Sequence, residues 1–242
     1  MTRFWVGTSG WHYEHWQNVF YPPHLDRRDW LGFYAARFST VEINNTFYRQ
    51  PTPQAWASWR AAVPPSFRFA VKASRFLTHF RRLHEPAAAL RHVLDGARQL
   101  GDALGPVLYQ LPVSFECTPA NFDRLRAFLD LLPPDVRSVI EFRHRSWLTK
   151  EVFSLLQARE VGFCISDMPG EDCPLEVTTS IAYVRFHGSE QLYASRYTDE
   201  ELATWADRLH RLGAGIDDIY CYFNNDACGF AVANALTLQA LL

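Results

Sequence analysis

Eight short apolar runs, set at intervals along 242 residues, constrain this chain more than any other feature. They cover residues 4–9, 40–45, 68–73, 106–111, 138–143, 162–167, 182–187 and 218–225, each bounded by Pro, Gly or polar clusters. Their length and boundaries are those of β-strands. Helical patterns lie between most of them. The stretch 28–38 carries Leu31, Tyr34, Ala35 and Phe38 at the spacing of one helix face, and 85–104 carries Leu90, Val93, Leu94, Ala97 and Leu100. Residues 121–132 repeat the pattern with Phe122, Leu125, Phe128, Leu129 and Leu132. Thr198 followed by Glu201 predicts a capped start for a helix over 198–212, and 230–242 closes the chain as another helix.

Strands that alternate with helices predict a parallel sheet. Eight such units, in a length close to the roughly 250 residues of an α/β barrel, predict one TIM-type (β/α)8 barrel domain over residues 1–242. No GxGxxG follows the first run, which weighs against an open nucleotide-binding sheet. The sixth crossover is irregular, because Met168-Pro169-Gly170 through Cys173-Pro174 cannot hold a regular helix.

In such a barrel alternate strand residues point inward, and sites form at the C-terminal ends of the strands. The polar positions opposite the apolar faces are Glu42 and Asn44, Lys72, Gln110, Glu141 and Arg143, then Arg185 and His187. In the sixth and eighth strands the alternation is ambiguous, so Asp167, Asn224 and Asn225 fit either face. One pole therefore gathers charge from several strand ends. Glu42 or Glu141 is the expected general base and His187 an acid or proton shuttle. Lys72, Arg143 and Arg185 are the expected clamp for an anion, with Asn44, Gln110, Asn224, Asn225, Trp11 and His79 completing the binding set. A structural alternative makes the same charges buried ion pairs with no chemistry. A metal, if present, would recruit Glu42, Glu141, Asp167 and His187, but three cations in the same ring oppose a divalent ion, so neither a metal nor another cofactor is expected.

The stretch after the third strand, 72–84, interleaves Arg75, Arg81 and Arg82 with Phe76 and Phe80, as a surface that holds phosphates and stacks rings requires. Alternatively it is a solvated loop whose phenylalanines pack inward. Gly7-Thr8-Ser9-Gly10-Trp11 lacks the second glycine position of a nucleophile elbow, so Ser9 is a poor nucleophile candidate. His187-Gly188-Ser189 and Asn224-Asn225-Asp226 follow strands seven and eight, where barrel enzymes often bind phosphate.

A net charge of −2 excludes a general polyelectrolyte binder but not a local basic patch. Met1-Thr2-Arg3-Phe4-Trp5 has no long apolar core of a signal peptide, and no run approaches the ~20 apolar residues of a membrane span. Five cysteines without CxxC spacing predict reduced thiols, and with these features a cytoplasmic location.

Several motifs together resemble the domain of unknown function 72 family, also called YecE-like. They are Val6-Gly7-Thr8-Ser9-Gly10-Trp11, Thr40-Val41-Glu42-Ile43-Asn44 with Thr46-Phe47-Tyr48-Arg49, and Thr78-His79. Leu104-Gly105-Pro106 with Gln110-Leu111-Pro112, and Glu141-Phe142-Arg143-His144 with Ser146-Trp147, continue the match. It ends with Tyr183-Val184-Arg185-Phe186-His187-Gly188, Phe223-Asn224-Asn225-Asp226 and Ala233-Asn234-Ala235. Asn45 replaces a more typical small residue and Val113 a more typical Pro. The resemblance implies a TIM-type barrel and supplies no reaction; its likeness to endonuclease IV and sugar-isomerase barrels is one of fold alone. Three functions remain open: an enzyme on a small phosphate ester or carboxylate, a nucleic-acid binding or processing protein, or a non-catalytic ligand-binding module. The oligomeric state is not legible in the sequence.

Overall fold

The structure is a computed structural model that describes residues 2–242; Met1, the first residue of the stretch read for a leader, lies outside it. Eight strands form one parallel sheet: β1 (Arg3–Thr8), β2 (Thr40–Ile43), β3 (Arg68–Lys72), β4 (Leu104–Gln110), β5 (Ser138–Glu141), β6 (Gly162–Asp167), β7 (Ile181–Phe186) and β8 (Asp218–Phe223). Their order is β1-β8-β7-β6-β5-β4-β3-β2, all neighbours parallel. The sheet curls until β1 meets β2, where a single bridge, Ser9 to Glu42, nearly closes the barrel. Gly7 makes that approach possible, since a Cβ there would collide with the Thr40 carbonyl oxygen.

Seven helices pack outside: α1 (Trp30–Ala35), α2 (Pro53–Ala61), α3 (Ala87–Ala97), α4 (Pro119–Leu129), α5 (Lys150–Ala158), α6 (Asp199–Leu212) and α7 (Phe230–Leu241). Thr52, Thr118, Thr149 and Thr198 each cap a helix by accepting a backbone N–H, and Glu201 completes the capping box of α6. The pattern over 28–38 becomes a 3-10 turn and a six-residue helix, and the one over 85–104 ends in a 3-10 segment that leads straight into β4. No helix joins β6 to β7.

Side-chain alternation divides the molecule into two cores. Ala70, Leu108, Val139, Cys164, Ile181, Tyr183, Tyr220 and Tyr222 fill the barrel interior. The opposite faces carry Val41, Ile43, Phe69, Val107, Ile140, Val184 and Phe186 into the helical layer. All five cysteines are free, and no helix among the described residues is long and apolar enough to cross a membrane.

Candidate functional site

Just above the inner core the alternation delivers charge. Arg185 on β7 is fully buried and every nitrogen of its guanidinium is engaged: Nε donates to Glu42 Oε2 at 3.0 Å, Nη2 to Glu42 Oε1 at 2.8 Å, and Nη1 to Glu141 Oε2 at 2.8 Å. Glu42 also accepts from Ser9 Oγ and Tyr183 Oη, each at 2.7 Å. Arg143 reaches the other side of Glu141 with its Nε. Burial alone would push both carboxyls up, but Arg185 and Lys72 hold Glu42 below the usual carboxylate range, and Arg143 and Arg185 hold Glu141 well below it. The four groups form a charge-matched layer across the barrel.

His187 sits beside this layer, fully buried. Burial, aided by Arg185 and Arg143, pushes its pKa down to about 3, so the imidazole is neutral. Arg143 Nη2 lies 3.0 Å from His187 Nε2, and a guanidinium has no lone pair to offer. Nε2 therefore accepts in that contact, and on the far side of the ring Asn224 Nδ2 lies 3.3 Å from Nδ1.

That cavity, of about 710 Å³, is lined by Tyr13, His15, Asn44, Phe47, Tyr48, Lys72, His79, Gln110, Tyr193, Asn224 and Asp226. Its size lies within the ~300–1,000 Å³ of small-molecule sites. Lys72, half-buried in its floor, is one of only two lysines in a chain with 24 Lys and Arg. Among the described residues its ammonium makes no salt bridge, and it rests 4.5 Å from the centre of the Phe47 ring. Burial and the positive charge of Arg185 outweigh the pull of Glu42 and Glu141 and bring its pKa down to about 8. Two carboxylates beneath answer two guanidinium groups, and neither is in direct contact with Lys72. Asn44 Oδ1, in the same wall, is buried with no hydrogen-bond partner.

Across the cavity, His15 Nε2 lies 3.0 Å from Asp226 Oδ2, while Trp16 Nε1 donates to Asp226 Oδ1 at 2.8 Å. Burial raises the Asp226 pKa to about 6, against the opposing effects of Trp16 and His15. Asp226 can therefore exchange a proton near neutrality. His15 and the rings of Tyr13, Phe47, Tyr48 and Tyr193 have no role in the sequence reading, and Asp226 enters it only within the Asn224-Asn225-Asp226 phosphate candidate. Asp226 follows β8 by three residues, at the pole where sites form, but His15 lies in a single 3-10 turn capped by Tyr13, too short to give a periodic signal.

The structure brings Glu42, Lys72, Gln110, Glu141, Arg143, Arg185, His187, Asn44, Asn224 and His79 to one pole, in surroundings that differ from those expected. Arg185 and Arg143 are spent on carboxylates and do not line the cavity. Glu42, Glu141 and His187 are sealed from solvent. Three residues lie elsewhere. Asp167 turns outward to Tyr197 and Trp205, because β6 directs Cys164 and Ser166 inward. Asn225 donates to the Ser195 carbonyl and Asn234 in the helical layer, and Trp11 packs edge-on against Trp59 and Phe69. The metal set Glu42, Glu141, Asp167 and His187 therefore does not converge, and no cluster of three potential ligands occurs among the described residues. The Gly188 N–H, expected at a phosphate site, is spent on Tyr197 Oη at 3.1 Å. Phe76 and Phe80 are exposed rather than packed inward, on a five-residue π-turn.

An eight-stranded parallel barrel with its polar cavity at the C-terminal ends of the strands is a TIM-type barrel protein. The model of the family described as "Protein of unknown function DUF72" matches residues 5–242, and the chain belongs to that family. It is 27% identical to UPF0759 protein YunF of Bacillus subtilis (strain 168), over 98% of this chain and 94% of that one. The crystal structure of a DUF72 family protein from Thermotoga maritima MSB8 superposes with a TM-score of 0.89 at 30% identity, covering 99% of this chain and 98% of the other. A DUF72 family protein from Enterococcus faecalis V583 shares the fold, with a TM-score of 0.85 at 22% identity over 100% of this chain and 95% of that one.

Proposed function

We propose that this barrel is an enzyme that takes a small anionic molecule, a carboxylate or phosphate ester, into the cavity at its C-terminal pole. One observation carries the reading: Lys72 is an unmatched ammonium in the floor of a cavity above an otherwise charge-balanced layer. A half-buried charge without a partner is costly unless a ligand supplies the counter-charge. Asn224 adds an amide to the same cavity, and Asp226, held by His15 and Trp16, supplies the proton exchange that acid–base chemistry needs. Glu42 and Glu141 serve as the fixed anions that hold Arg185, not as bases.

Thermal melts with inorganic phosphate, glycerol phosphate, lactate and acetate test this. At least one anion should raise the melting temperature of the parent and leave Lys72→Met unmoved. A parent indifferent to all four overturns the proposal. Nucleic-acid binding has one specific observation in its favour. The Arg75 guanidinium lies 5.3 Å from the centre of the Tyr48 ring and 5.4 Å from that of Phe80, both exposed at the cavity rim. Its mark would be salt-sensitive binding of a single-stranded oligonucleotide, lost in Arg75→Ala.

A further inference from the structure

The unusual fact about Lys72 is that it is not an arginine. Elsewhere the chain supplies cations almost entirely as arginine, including both buried ion-pairing positions, Arg143 and Arg185. Arginine is also the better fixed clamp for carboxylate or phosphate, because its planar fork binds two oxygens at once. The other lysine, Lys150, stands exposed at the first position of α5. What a lysine offers and an arginine cannot is a primary amine that loses its proton and attacks carbon. The surroundings of Lys72 suit that use. Its nitrogen has no carboxylate salt bridge to hold the proton, sits over the apolar face of Phe47, and opens into a cavity large enough for a small substrate.

Building on the anion reading above, we propose that Lys72 forms a covalent imine with its substrate, an anionic carbonyl compound such as a 2-oxo acid or a phosphorylated ketone or aldehyde. The neutral amine attacks the carbonyl carbon, and one of its own protons passes to the oxygen to give a carbinolamine. The nitrogen lone pair then expels that oxygen as water, with a second proton supplied from within the cavity, where Asp226 titrates near neutrality. The carbon–oxygen double bond becomes a carbon–nitrogen double bond and one water leaves; no electrons are gained or lost. The resulting iminium keeps the single positive charge of Lys72, so the substrate's own anionic group balances the layer beneath as before. A pKa brought down to about 8 leaves a useful fraction of the amine neutral near physiological pH, as such an attack requires.

Borohydride trapping of the intact parent protein with pyruvate, followed by peptide mass mapping, tests the inference, and the exposed Lys150 serves as an internal control. Reduction should add the mass of pyruvic acid less one oxygen to the Lys72 peptide, at least about tenfold more than to the Lys150 peptide. Lactate, an anion of the same size without the carbonyl, should compete with the labelling without being trapped. Lys72→Arg should still be stabilised by lactate in thermal melts yet take no label at position 72. An unlabelled Lys72 peptide, or equal labelling of the two lysines, overturns the imine. If lactate still protects the parent in that case, the anion reading survives. If Lys72 is trapped by a neutral carbonyl such as acetaldehyde while no anion stabilises the parent, the imine stands and the anion reading falls.

Discussion

Arg185 and Lys72 both project from the inner wall of the barrel, on β7 and β3, and their surroundings could hardly differ more. Arg185 is enclosed by Glu42 and Glu141, with good geometry on every nitrogen and no exposure. Lys72, near the same two carboxylates, has no direct contact with either and faces open space. The first is a cation whose requirements the protein meets; the second is a cation whose requirements it leaves unmet. A depression of about 420 Å³ at the opposite pole resembles the first case. There Arg3 and Arg137 share Asp218, Arg98 is paired with Asp135, and Arg68 donates to the Pro65 and Phe67 carbonyls. Charge at a barrel end is therefore not evidence of a site in itself. Uncompensated charge at the edge of a cavity is.

The strongest way to break the comparison is to remove Arg185. Arg185→Ala leaves two buried carboxylates without their shared partner, and unfolding in urea should show a loss of about 3–5 kcal/mol or no folded protein at all. A mutant as stable as the parent would place Arg185 with Lys72. Next in size, Lys72→Met should keep the fold and lower affinity for the best anion roughly 10- to 150-fold by calorimetry, the equivalent of about 1.5–3 kcal/mol for a charge-assisted hydrogen bond.

Titration sharpens the contrast. Anion affinity of the parent should fall by up to about tenfold per pH unit above pH 8, as free Lys72 loses its proton. Stability should move the other way. The unfolded chain protonates this lysine near 10.5 and the folded one near 8, so the unfolded state holds more protons between those values and the parent should gain stability across that window relative to Lys72→Met. The smallest effect belongs to the opposite pole. The Arg98–Asp135 pair is exposed, and Arg98→Ala should change stability by less than about 1 kcal/mol and leave anion affinity alone.

How much of this was legible depended on the strand. In β2, β3, β5 and β7 a polar side chain alternates with a strongly apolar one, so Glu42, Lys72, Glu141 and Arg185 could be assigned to the inner face from parity alone. In β6 and β8 the inner face carries Cys164, Ser166, Tyr220 and Tyr222, whose polarity differs too little from that of the outer face for the parity to be read. Asp167 and Asn225 were placed at the site for that reason. Pairing was equally hidden. Sequence gathers the charges at one pole, but which two cancel and which one remains depends on distances across the barrel. The loop residue His15 meets Asp226 only through the closure of β1 beside β8.

The account rests on Lys72 as the unmatched charge, and its titration can be observed directly. With only two lysines, carbon-detected side-chain NMR gives two resolved signals, and Lys72→Arg assigns them. One should titrate near pH 8 and move upward when pyruvate or phosphate is added, as a counter-charge favours the protonated amine. A Lys72 that titrates near the ordinary 10.5 and ignores every anion would contradict the account.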